Sequence, residues 1–144
     1  MTENNQVVSL NFDVGYRDIQ VGDEVVRLSL SDEVRNNFAF DIKEAFEKVE
    51  KIAKAKNKDQ TREEVQKETD EIKAILETVF DNSLGEGTFE KIYQAAGQST
   101  PNCMHFLAVC LDIIHEFDEN LKKTVQTRKV NKYMKNKNAQ QKQK

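Results

Sequence analysis

A chain of 144 residues, 38% hydrophobic and 33% charged, has about one domain's length and enough apolar material to bury a core. With that composition and a single proline it reads as a soluble, helix-rich globular protein, and no tryptophan is present to anchor an interface. The start MTENNQ has neither a basic region nor an apolar run, and no stretch of about 18 apolar residues occurs, so secretion and membrane spanning are disfavoured and a cytoplasmic location is expected.

Residues 7–30 alternate with the period of strands. In VSLNFDV, Val8, Leu10, Phe12 and Val14 share a face, and in EVVRLSLS so do Val26, Leu28 and Leu30. Between them YRDIQVGDE supplies a third extended piece and a Gly22-Asp23 turn. The expected product is a β-hairpin or three-strand meander, too small to stand alone and needing helices over its apolar face.

A first helix opens at Ser31 as N-cap, with Asp32 and Glu33 in the first turn where negative charge suits the helix dipole. Val34, Phe38, Ile42, Phe46, Val49 and Ile52 form its apolar stripe. The polar run AKAKNKDQTREE predicts a turn near Asn57–Gln60. A second amphipathic helix follows with Val65, Ile72, Leu76 and Val79 or Phe80 inward, and Glu63, Glu64, Lys67, Glu68, Asp70, Glu71 and Lys73 facing water.

The stretch LGEGTFEKIYQAAG, residues 84–97, holds three of the five glycines. A glycine-rich turn that opens a helix can hold an anion on its backbone N–H groups. Here no buried strand precedes it, Glu90 stands where a third glycine belongs, no Gly-Lys-Ser/Thr follows, and Glu86 repels a phosphate. The stretch therefore reads as a hinge: Gly85 and Gly87 end one helix, Thr88 caps a short one, and Gly97 stops it.

A fourth helix starts in STPNCMHFLAVCLDIIHEF with Thr100 as cap and Pro101 at the first helical position. Cys103, Met104, Phe106, Leu107, Val109, Cys110, Leu111, Ile113, Ile114 and Phe117 spread around nearly its whole circumference, as in a central helix or an oligomer interface. Leu121 and Val125 carry the stripe on. Cys103 and Cys110, seven residues apart on one helix, are separated by roughly 10 Å at ~1.5 Å rise per residue, too far for a disulfide, and read as core thiols.

His105, Asp112 and His115 fall on one side of this helix, a set that elsewhere binds zinc or transfers protons. The seven-residue step from His105 to Asp112 does not suit one metal, and only two histidines exist. No Gly-x-Ser-x-Gly occurs, and neither cysteine has a histidine at a spacing that suggests activation. The chain therefore reads as a non-enzyme without metal or cofactor.

All 25 acidic residues lie at or before Glu119, while 9 of the 22 basic ones follow it, giving a body of net −12 and an end of +9. NKNAQQKQK has little to bury and is expected to be disordered. The resulting plan is mainly α (α+β): a single domain over 1–135, β-rich at 7–30 and helical at 32–135, in which an N-terminal hairpin or small meander packs on a bundle of about four helices, followed by a disordered basic tail at 136–144.

The segment ILETVFDNSLGEGTFEKIYQ resembles the helix–Leu-Gly-Glu-Gly–helix segment of the tail assembly chaperones of long-tailed (siphovirus-type) phages or prophages of Gram-positive bacteria. In that family an aspartate and the Gly-Glu-Gly precede a short Phe-x-Lys-Ile-Phe/Tyr helix, matched here by Asp81, Gly85, Glu86, Gly87, Phe89, Lys91, Ile92 and Tyr93. RKVNKYMKNK resembles the family's basic end, whereas QAAGQSTPN departs from the connection usual there. The resemblance implies a chaperone in the bacterial host cytoplasm that binds the tape measure protein during tail morphogenesis. A longer, frameshifted form would recruit tail tube protein, and self-association is a further expectation. Phe89, Ile92 and Tyr93 are the expected partner-binding edge, with Gly85 and Gly87 as the hinge. The alternative is a small cytoplasmic nucleic-acid-binding or regulatory helical protein acting through the basic tail; Tyr133 is the only aromatic among those lysines.

Overall fold

The computed structural model describes the backbone of residues 6–55 and 59–142 and the side chains of 6–55 and 59–129. Along the chain run β1 (Tyr16–Val21), β2 (Glu24–Ser29), α1 (Asp32–Lys54), α2 (Arg62–Leu84), α3 (Thr88–Ala95) and α4 (Thr100–Lys142). The protein is mainly helical, with an antiparallel hairpin packed on the helices.

The hairpin closes at Gly22-Asp23, where Gly22 takes a φ of +59° as a tight two-residue turn demands. Pairing runs from Val21↔Glu24 to Tyr16↔Ser29, and Leu30 N–H adds a bond of 2.8 Å to the Gly15 carbonyl. Opposite each other, Asp18 and Arg27 form an ion pair at 3.0 Å, and the Arg27 guanidinium lies 3.7 Å from the centre of the Tyr16 ring. Val26, Leu28 and Leu30 are buried, as their alternation predicts.

Of the two expected forms, the hairpin is the one observed: residues 8–14 form no strand. Val8, Leu10, Phe12 and Val14 are all exposed. A local closure accounts for the interruption: the Asp13 carboxylate accepts from Gly15 N–H at 2.9 Å and from both Arg17 guanidinium nitrogens at 2.9 and 3.0 Å. These bonds hold the Asp13 carboxyl at about 2, the Arg17 contact contributing most.

Ser31 Oγ accepts from Val34 N–H at 3.4 Å, capping α1 as expected. Phe38, Ile42, Ala45 and Val49 are buried along its stripe, while Val34, Phe46 and Ile52 are half-buried. Part of the turn expected at Asn57–Gln60 lies outside the described residues. Thr61 Oγ1 caps α2 through Glu64 N–H at 3.2 Å. Leu76, Val79 and Phe80 point into the core and Ile72 is half-buried. Val65, expected inward, is exposed because the elements packing on α2 gather around Phe80, about 22 Å further along the axis at ~1.5 Å per residue.

α3 folds back on α2 through the glycine turn. Gly85 has φ 110° and ψ 147°, and Gly87 φ 86° and ψ −5°, conformations that side chains with a Cβ disfavour. Thr88 does not cap α3 as predicted. Its hydroxyl donates back to the Leu84 carbonyl at 3.1 Å, and the cap comes from α2, where Asp81 Oδ1 accepts from Phe89 N–H at 3.0 Å. Gly97, at φ +74°, ends the helix, with Gln98 N–H bonding the Tyr93 carbonyl at 2.8 Å.

The cap of α4 lies one residue before the predicted one: Ser99 Oγ accepts from Asn102 N–H at 3.3 Å, which makes Thr100 the first helical residue. Cys103, Phe106, Leu107, Cys110 and Ile114 are buried, and Met104, Val109, Leu111, Ile113 and Phe117 half-buried, so the first half of α4 is a core helix. From Glu119 to Lys129 every residue is exposed. Leu121 and Val125 continue the stripe and are exposed. The helical backbone runs through Lys142, past position 136 where a disordered end is expected from composition; the side chains from 130 onward lie outside the described residues.

Four aromatic rings tie α4, α2 and α3 together. Phe80 stacks on Phe106 at 5.4 Å and meets Phe89 edge-on at 5.5 Å, and Phe89 stacks on Tyr93 at 5.4 Å.

Candidate functional site

The apolar edge predicted on α3 is not a surface. Phe89 and Ile92 are buried in the core, and Tyr93 is half-buried, stacked on Phe89 with the Lys73 ammonium 4.5 Å from its ring centre. The glycine turn is the cause: by reversing the chain it lays the apolar face of α3 on α2 and α4. Gly85 and Gly87 lie at this turn, both at positive φ.

His105, Asp112 and His115 are exposed on α4, and among the described residues no group of three or more His, Cys, Asp or Glu side chains is placed to hold a metal ion. Cys103 and Cys110 are buried free thiols, pushed by burial up to about 11 and about 12 respectively. Such thiols stay protonated at neutral pH and do not serve as nucleophiles.

Among the described residues, exposed apolar surface includes three areas besides Val25, Phe40 and Val65. An open trough of about 470 Å³ lies between β1 (Ile19, Val21), α3 (Ile92, Ala95) and α4 (Phe106, Val109), edged by Gln20, Asn102 and His105. Asn102 is anchored there, its side-chain amide donating to the Ala96 carbonyl at 3.0 Å. Beside this body lies the uncovered segment 7–14, with Phe12 at 82% exposure. The third surface is the projecting half of α4, where Leu121 (55% exposed) and Val125 lie four residues apart, flanked by exposed Lys122, Lys123, Arg128 and Lys129. Residues at this spacing share one helix face.

Arg35, which no motif points to, joins the hairpin end to α1 and α4. Only 8% exposed, its guanidinium donates to the Leu30 carbonyl at 2.6 Å, to Asp32 at 3.0 Å and to Asp118 at 3.0 Å, and lies 5.0 Å from the Phe117 ring centre. The available signal is its place on the row Arg35, Phe38, Ile42, where a charge within an apolar stripe requires partners. The same node fixes where α4 leaves the body, because Asp118 is the last residue before the exposed run.

Among the described residues no helix is long and apolar enough to cross a membrane. Residues 28–144 match a family of unknown function, DUF6673, and the chain belongs to that family. No curated protein and no solved structure matches it.

Proposed function

We propose that this member of the DUF6673 family is a phage tail assembly chaperone, acting in the bacterial host cytoplasm to bind the tape measure protein. An extended, frameshifted form would recruit tail tube subunits. The projecting half of α4 carries the reading: the body presents a long helix whose residues 119–129 are all exposed and whose Leu121 and Val125 are not covered by any of the described residues' elements. A second amphipathic helix is the natural complement to such a face. Burying a Leu or Val side chain contributes ~1.5–3 kcal/mol, so a long partner engaged by many copies is bound by many weak contacts.

The residues carrying the family resemblance support the reading through the fold. Asp81, Gly85 and Gly87 build the α2–α3 junction, and Phe89 and Ile92 fill the core. They act as a mark of architecture, and partner contact is assigned to α4.

Co-expression with fragments of a tape measure protein tests the proposal. Leu121→Asp with Val125→Asp should abolish co-purification while leaving the melting temperature unchanged, because neither side chain is in the core. Undiminished capture by that variant would remove α4 as the site. The exposed basic residues on the same helix favour a second reading, phosphate contact with nucleic acid. It predicts salt-sensitive duplex binding by the purified chain with no protein partner present.

A further inference from the structure

We propose that residues 7–14 of one copy add as a strand to the open edge of β1 in a second copy, laying Val8, Leu10, Phe12 and Val14 into that copy's trough. The sheet contains only β1 and β2, so β1 has one edge without a strand neighbour among the described residues. The trough adjoins β1 and is walled by Ile19 and Val21 from that strand. A strand added along this edge would cover it.

The chain supplies a matching strand. Its apolar residues alternate with Ser9, Asn11 and Asp13, so one face is apolar and the other polar, as a strand covered on one side requires. Charge points the same way. In a chain with 33% charged residues, positions 4–12 hold none, and neither do the residues lining the trough. Bringing the two together therefore buries no unpaired charge. Eight residues span about 26 Å at ~3.3 Å each, enough to follow the six residues of β1.

Exchange between copies is favoured over fold-back because of the joint between segment and strand. Val14 and Tyr16 are separated only by Gly15, whereas the shortest common hairpin connection has about two residues. Fold-back would also have to break the bidentate Asp13–Arg17 pair that holds residues 13–17. A second copy's edge avoids the one-residue joint, and its Asp18–Val21 part lies clear of the Arg17 bond to the Tyr16 carbonyl. The contact joins two different surfaces, so each copy can both give and receive a strand.

The experiment needs only the purified chain, which keeps it independent of the tape measure proposal. Light scattering should give a mass of at least twice the 16.6 kDa chain, falling to a single chain mass in Leu10→Asp with Phe12→Asp, with circular dichroism unchanged. In a mixed isotope-labelled sample, intermolecular contacts should join the Phe12 ring to the Ile19 and Val21 methyls. Val109→Lys, a change in the receiving trough, should give the same monomer. A monomeric full-length chain, an assembly that persists in these variants, or Phe12 contacts confined to one chain would each overturn the proposal.

Discussion

The Arg35 guanidinium and the Asp118 carboxylate meet at 3.0 Å across 83 residues of sequence, joining the start of α1 to the point where α4 leaves the body. The three acceptors of this arginine are unequal. Leu30 O is a backbone carbonyl of a buried residue, the Asp118 side chain is partly exposed, and that of Asp32 is almost fully so. Water can replace the arginine at the two carboxylates more readily than at the carbonyl.

Arg35→Ala should therefore destabilise the protein by about 2–3 kcal/mol, since it leaves a buried acceptor unpaired and removes packing against Phe117. Asp118→Asn should cost about 1 kcal/mol or less, because the partly exposed pair is screened by solvent. Urea unfolding midpoints measure both. Equal losses in the two variants would show that the ion pair, and not the carbonyl bond, dominates the node.

The glycine turn yields a second expectation. Asp81→Ala should cost about 1 kcal/mol as the lost cap of α3, and Thr88→Ala less, because Thr88 only bonds back to the end of α2. Gly85→Val and Gly87→Val should each cost about 1–3 kcal/mol, since positive φ is strained for a β-branched residue whatever the surrounding space. Thermal melts of the four variants decide the ranking. A larger loss for Thr88→Ala than for Asp81→Ala would return the cap to Thr88.

These sites show where sequence suffices and where it stops. The Gly22-Asp23 turn and the Ser31 cap are local chemistry and are fully legible. Residues 8–14 and 26–30 carry the same alternation, yet only the second is buried, because alternation specifies a face without specifying a neighbour. The apolar face of α3 has the same ambiguity. Phe89 and Ile92 look like a surface edge until the φ angles of Gly85 and Gly87 turn them inward. Arg35 is concealed by its charge, its acceptors being set by tertiary position.

The buried thiols carry a pH signature. Burial raises Cys103 to about 11 and Cys110 to about 12, from an ordinary value of 9.0. Above pH 9.0 the unfolded chain releases thiol protons that the folded chain keeps, so this contribution to stability is full below that pH and is lost as pH rises towards 11–12. A thiol-reactive disulfide reagent should leave the native protein unlabelled at neutral pH and label both cysteines on unfolding. Stability should fall less steeply above pH 9.0 in Cys110→Ala than in the parent, and rapid native labelling would contradict the burial.

Truncation after Glu119 separates the body from its projecting helix. Residues 120–129 are all exposed, so their removal takes no side chain from the core, and the melting temperature should stay nearly unchanged. The ends of the charge distribution separate as well: nine basic residues leave, and the remaining body holds every acidic one. If α4 serves a helical protein partner, the truncated chain loses co-purification with tape measure fragments, while the full chain shows no duplex binding at physiological salt. If it serves nucleic acid, the full chain shifts random-sequence duplex with a salt slope of up to ~0.9 per phosphate neutralised, and truncation abolishes the shift. A third result, a stability loss that grows as salt falls below about 0.1 M, would mean that the basic helix is held by the acidic body and is not presented to a partner. The exposure of every residue from Glu119 to Lys129 argues against the third outcome, since a helix held by its own body would bury at least one face.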